Sequence, residues 1–211
     1  MQPDIQGALE FYQTASEFVR SGRFAYEIDW QRRVELSDFE ESDLLREAAW
    51  VILCCGFREA TVRRLFDYVS LCYCDWESAE DIVVAGERCI ATARAAFGNE
   101  AKLTALLTMA QIVATRGFEN LKDQILSDPL PTLRGFPFIG PVTVYHLAKN
   151  LGLDVAKHDR HLVRASRKFG FHNPDRFCRA IAEVHKEPIK VIDLVVWRFL
   201  ASGPIKERAT S

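Results

Sequence analysis

The sequence has no apolar run approaching the length that crosses a bilayer. Its N-terminus, MQPDIQGALEFYQ, shows no basic segment followed by an apolar one. Neither a membrane partner nor a secretion signal is therefore expected, and a cytoplasmic chain is. Six cysteines stand at positions 54, 55, 72, 74, 89 and 178. Cys72 and Cys74 are separated by one residue, no second pair follows at zinc-ligand spacing, and no four-cysteine cluster closes the C-terminus. Reduced, unligated thiols are expected, with neither metal nor cofactor; cysteine then behaves as a small buried hydrophobe. Excess positive charge is also missing. The formal net charge of −2 argues against a protein that coats nucleic acid. No segment alternates like a strand, no Asn-Gly turn occurs, and no long linker, low-complexity stretch or internal repeat is evident.

What is present reads as helix nearly throughout. Val62, Leu65, Phe66 and Val69 follow helical spacing, as do Leu103, Leu106, Leu107, Ala110 and Val113. Leu44 to Cys55 and Val191 to Leu200 are apolar almost all round, which predicts central helices. The fold class is all-α. Gly56, Phe97-Gly98-Asn99 and Gly117 mark joints, Pro129 and Pro131 bracket an expected loop, and Asn173-Pro174-Asp175 and Glu187-Pro188 open the last two helices. The 211 residues suit one compact domain, or two small lobes.

Charge placement is more informative than its sum. Acid dominates Glu35 to Glu47 (ELSDFEESDLLRE), whereas Lys157, Arg160, Arg164, Arg167 and Lys168 face only one acid, Asp159. Such a run is usually a solvated helix face. Just ahead of it lies Leu133 to Phe169, LRGFPFIGPVTVYHLAKNLGLDVAKHDRHLVRASRKF. A tight turn at Phe136-Pro137-Phe138-Ile139-Gly140 precedes a helix with Pro141 in its first turn, where the missing N–H costs nothing. The N–H groups of Ile139, Gly140 and that first turn are expected to point outward, able to hold a phosphate oxygen. A helix of ten residues after Gly140 spans about 15 Å. The return from Leu151 to Lys157 reaches roughly 23 to 25 Å when extended. Asp159, the expected N-cap of a helix from His158 to Phe169, can then come back beside the turn.

This segment resembles the helix-hairpin-helix (HhH-GPD) DNA glycosylase superfamily. The shared pattern is the Phe136–Gly140 turn, followed by Asp159 with His161 two residues and Arg164 five residues further on. The resemblance implies a single domain over residues 1–211. It would have two lobes around a DNA-binding cleft: a helical barrel over roughly 40–150 containing the hairpin, and a second lobe from 1–39 with 151–211. It also implies that Asp159 is the catalytic carboxylate and that Phe138, Ile139, Gly140, Val142, Lys157, Arg160, His161 and Arg164 contact DNA. Following the family layout, Phe57 or Arg58 is the wedge and Tyr26 and Trp30 line the base pocket.

Two positions depart from the family pattern. Phe138 replaces the first turn glycine, so no positive φ is expected there. Val142 stands where members that also cut the backbone carry a lysine, and valine cannot form a Schiff base. A carboxylate near the sugar stabilises the positive charge that develops as the base leaves, and orients or activates water. A helix N-terminus with Lys157 and Arg160 nearby suits a charged Asp159. The expectation is a monomeric, monofunctional DNA glycosylase acting on double-stranded DNA with a flipped-out damaged or modified base. Lacking iron–sulfur cysteines and the hairpin lysine, it points toward a less standard substrate, such as a modified phage pyrimidine in antiviral defence. Two alternatives stay open: a catalytically silent DNA-binding module, and a glycosylase with lyase activity from a displaced lysine such as Lys157. Asp193, among Val191, Ile192, Leu194 and Val195, is expected to be a buried, paired acid, and the four tryptophans are expected mostly in the core.

Overall fold

In the computed structural model, which describes residues 2–202, all regular elements are helical and no strand occurs among the described residues. The chain divides into two compact units, one taking the residues up to Glu35 and from Gly152 onward, the other Leu36–Leu151. The first unit opens with α1 (Ile5–Arg20) and α2 (Ala25–Arg33). The second holds α3 (Glu41–Cys54), α4 (Glu59–Cys72), α5 (Ala79–Ala85), α6 (Glu87–Ala93), α7 (Glu100–Arg116), α8 (Phe118–Ser127), α9 (Pro129–Leu133) and α10 (Thr143–Asn150). The chain then returns to the first unit with α11 (Arg160–Lys168), α12 (Pro174–His185) and α13 (Ile189–Ser202). No helix among the described residues is long and apolar enough to cross a membrane.

In the first unit, steps of three and four residues put Ala8, Tyr12, Ala15 and Val19 on the buried face of α1. α1 packs against α13, which is apolar nearly all round, buries Val191, Ile192, Val195, Val196 and Phe199, and also touches α2, α11 and α12. Each such side chain contributes about 1.5–3 kcal/mol on burial. Two cations interrupt this apolar centre. Arg198 donates from Nε and Nη2 to the Glu27 carboxylate at 2.6 and 2.7 Å, and its guanidinium lies 4.0 Å from the centre of the Phe24 ring. Lys190 donates from Nζ to Gly152 O at 3.1 Å and to Val34 O, carbonyls beside the points where the chain enters and leaves this unit.

In the second unit α3 and α7 form the centre. Leu44, Leu45, Ala48, Ala49 and Ile52 of α3 pack with the buried Leu103, Leu106, Leu107, Ala110 and Val113 of α7. The acidic run starts α3 through a reciprocal cap between Glu40 and Asp43. Gly56, just past the end of α3, has φ +76°, the left-handed backbone with which glycine ends helices. More strained is the single 3-10 turn Cys74–Trp76, whose φ values are +55°, +49° and +65°. Burial of Trp76 offsets that strain, with Nε1 donating to Ser70 Oγ at 2.8 Å and the indole stacked on Tyr73 at 5.3 Å.

Several local expectations need correction. Pro129 and Pro131 do not bracket a loop: Pro129 opens α9, where an absent N–H forfeits no bond. Pro141 lies ahead of α10, which begins only at Thr143, and α11 begins at Arg160 with Asp159 as its cap. Of the four tryptophans only Trp76 is fully buried; Trp30, Trp50 and Trp197 are half-buried, since rings this large seldom lose all contact with solvent.

Substituting Arg198→Met leaves the Glu27 carboxylate buried without its guanidinium. Urea unfolding is expected to show a loss of about 3–5 kcal/mol, most of it recovered in the Glu27→Gln/Arg198→Met double variant. A single variant as stable as the parent would show that the pair does not hold this core.

Candidate functional site

The turn between α9 and α10 is anchored from below by Phe136 and Ile139, both buried. Phe138 has φ +60°, contrary to the expectation that it avoids the left-handed region, whereas Gly140 is not among the residues with positive φ. The turn geometry, rather than the residue, dictates the conformation, and a bulky side chain there costs about 1–2 kcal/mol. Thr143 holds the turn together: its Oγ1 accepts the Gly140 N–H at 2.7 Å and lies 3.2 Å from Phe138 O. Ile139 N–H donates to Phe136 O at 3.3 Å. Ile139 and Gly140 therefore spend their N–H groups inside the turn, a second correction. Among the described residues, the N–H groups of Phe138, at the apex of the turn, and of Val142 and Thr143, at the start of α10, have no hydrogen-bond partner.

Asp159 lies in the other unit, as the N-cap of α11. Its Oδ1 accepts the N–H of His161 at 2.8 Å and of Leu162 at 3.0 Å. Its Oδ2 has no hydrogen bond among the described residues, and Lys157 Nζ lies 3.9 Å from it. The side chain is 13% exposed, so one oxygen is committed to the helix and the other is held in place but not consumed.

The segment leading to Asp159 is irregular, and acids on neighbouring helices fix it. Asp193 of α13 is buried and accepts the Lys157 N–H at 2.8 Å. Asp175 of α12 accepts the Ala156 N–H at 3.4 Å and pairs with the His158 ring. Asp154 in turn accepts the Lys190 N–H at the start of α13, at 2.9 Å. Downstream, Arg160, Arg164 and Arg167 occupy one face of α11 at helical spacing, exposed, with no carboxylate partner among the described residues. His161 accepts from Arg160 Nε at 3.4 Å.

Among the remaining sequence-derived candidates, Phe57 is 40% exposed with its ring 5.1 Å from Phe97, and Arg58 is an exposed residue capping α4. Tyr26 is exposed and Trp30 half-buried, both on α2 in the unit that holds Asp159. None of the six cysteines is in a disulfide, and no group of three acidic, histidine or cysteine side chains among the described residues suits a metal.

Three residues that sequence reasoning did not single out bear on the turn and the helices around it: Thr143, Lys102 and Glu47. A threonine just after a turn glycine is a legible signal for the first; the others depend on tertiary contacts. Glu47 of α3 accepts from Asn150 Nδ2 at the end of α10, at 2.7 Å, and desolvation pushes its carboxyl up to about 7.

Two expectations follow. Phe138→Ala and Phe138→Gly both remove the ring, but glycine also relieves the left-handed strain. Thermal unfolding is expected to place the glycine variant about 1 kcal/mol above the alanine variant, and equal stabilities would contradict the strain. Between the ordinary value of 4.5 and about 7, folded Glu47 keeps a proton that the unfolded chain has released, so its contribution to stability falls as pH rises through that window. Glu47→Gln is expected to remove this decline in a pH series of urea midpoints, gaining on the parent toward neutral pH; parallel curves would refute it. Comparisons with protein-family models, curated proteins and solved structures give no match to this chain.

Proposed function

We propose that this chain is a monofunctional DNA glycosylase of the helix-hairpin-helix type, hydrolysing the N-glycosidic bond of a damaged or modified base turned out of double-stranded DNA. The observation that carries the reading is Asp159: Oδ1 is fixed by two backbone N–H groups while Oδ2 stays unbonded beside an ammonium. As the bond from C1′ to the base nitrogen breaks, its electron pair leaves with the base and positive charge grows on the sugar. A carboxylate fixed in place stabilises that charge without reorganising. Water adds at C1′, and Oδ2 is the free oxygen that orients it and takes its proton. The Arg160, Arg164 and Arg167 stripe, which has no carboxylate partner among the described residues, suits a phosphate backbone, because three like charges on one helix face repel one another until an anion neutralises them. Val142 puts no amine on the hairpin, which favours hydrolysis over lyase chemistry.

A second reading has its own observation. Lys157 Nζ is 3.9 Å from Asp159 Oδ2 and its side chain is only 18% exposed. With Asp159 taking the ammonium's proton, the amine attacks C1′ as the bond to the base breaks, and opening of the sugar ring leaves a Schiff base.

Duplexes carrying oxidised, alkylated, deaminated and phage-type bases, incubated with the protein and treated with alkali, test both readings. Asp159→Asn keeps the capping oxygen, so the variant is expected to fold and bind DNA but release base at least about a hundredfold more slowly. Undiminished release would remove Asp159 from the mechanism, and no release by the parent protein from any base would favour a silent binding module. Borohydride trapping of a DNA adduct, lost in Lys157→Ala, would decide for the second reading.

A further inference from the structure

Lys102 is the least expected charge in the second unit. It stands in the first turn of α7, where the helix dipole disfavours a cation, and it is only 3% exposed. Its ammonium is satisfied elsewhere: Nζ donates to Leu53 O at 3.3 Å and to Ile52 O, both in the last turn of α3, where a cation is favoured. Burial pushes the amine below its ordinary value. Two rings lie around the same nitrogen, with centroids 5.4 Å away for Phe57 and 4.9 Å for Phe138, inside the range of cation–π attraction.

The two rings come from distant parts of the chain, and both remain open to solvent, Phe57 at 40% and Phe138 at 43% exposure. Phe138 is held in a left-handed conformation, and Phe57 follows the left-handed Gly56 with its N–H turned back onto Cys54 O at 3.1 Å. Strain that leaves an aromatic half-exposed does not serve the core, where the ring gains most by full burial. The arrangement presents apolar ring surface outward and keeps its cation beneath. A phosphate grip requires the reverse, whereas an unstacked base needs an exposed ring.

Resting on the glycosylase reading above, we propose that Lys102 is a positioning residue that joins the Phe57 loop and the hairpin into one face, whose two rings stack on nucleotides left unstacked beside an extruded base. The probe is a duplex containing a tetrahydrofuran abasic analogue, compared with the intact duplex of the same sequence by fluorescence anisotropy over a salt series. The parent protein prefers the abasic duplex. Phe57→Ala and Phe138→Ala each lower that preference about tenfold, the scale of one lost base–ring stack. Lys102→Met lowers it as far as the double ring variant and adds little when combined with it, while Lys102→Arg, which keeps the cation, retains most of it. Because Lys102 touches no phosphate, Lys102→Met leaves the dependence of log K on log salt unchanged; a phosphate contact would reduce the slope by about one.

Ring variants with the full preference overturn the proposal, as does a reduced salt slope in Lys102→Met. If Lys102→Met melts too low to assay, the ring variants, altered at exposed positions, decide. A parent protein with no abasic preference also overturns it. The glycosylase reading is judged separately, by base release and its loss in Asp159→Asn, so either can fail while the other stands.

Discussion

A buried N–H must find an acceptor, and an irregular segment has no neighbouring turn of helix to supply one. Between Leu153 and His158 the chain meets this demand with aspartates. Asp193 takes the Lys157 N–H, Asp175 takes that of Ala156 and binds the His158 ring, and Asp154 returns the connection by accepting from Lys190. The position of Asp159 is thereby set by α12 and α13 as well as by the helix it caps. Lys190 adds to the same frame by gathering the Val34 and Gly152 carbonyls at the two ends of the unit's discontinuous chain. A rigid approach on one side and a helix N-terminus on the other leave this carboxylate little freedom, which is what electrostatic stabilisation of a developing charge requires.

The hairpin follows a different logic, in which strain is retained and compensated. Phe138 occupies the conformation that glycine fills without penalty, and Thr143 and Lys102 counter it, the first by bridging the turn and the second by placing an ammonium against the ring. Lys102 is itself admitted to a buried position only because the last carbonyls of α3 receive it. Side chains on α7 and α10 and the backbone of α3 thus share the support of a five-residue turn. That coupling explains how a bulky residue persists where backbone sterics disfavour it.

The proposed chemistry divides among these parts. A carboxylate with one oxygen committed and one uncommitted suits a role in charge stabilisation and water activation. An exposed arginine stripe on α11 offers long-range attraction to phosphate, which the negative net charge of the whole chain conceals. On the hairpin, the N–H groups of Phe138, Val142 and Thr143 have no partner among the described residues, so an anion held there would meet both the apex of the turn and the start of α10.

Helical periodicity, unbroken by strand alternation, determined that the fold is all-α, and capping residues such as Asn99 and Asn173 marked where helices begin. The N-cap at Asp159 was also legible, because a short acceptor side chain ahead of a helical run satisfies its orphan N–H groups locally. What the sequence by itself could not determine lay wherever long-range partners decide. Its local pattern read Phe138 as free of left-handed strain and assigned outward donors to Ile139 and Gly140; closure of the turn by Thr143 decided otherwise. Nor do α3 and α7 show separately that Lys102 is buried, since the carbonyls and rings that accept it come from residues about fifty positions before it and about thirty-six after it. Local backbone chemistry sets where helices start and stop, because its energies act within a few residues. The placement of buried charge belongs to the tertiary structure, because desolvation is offset only by partners that folding brings together.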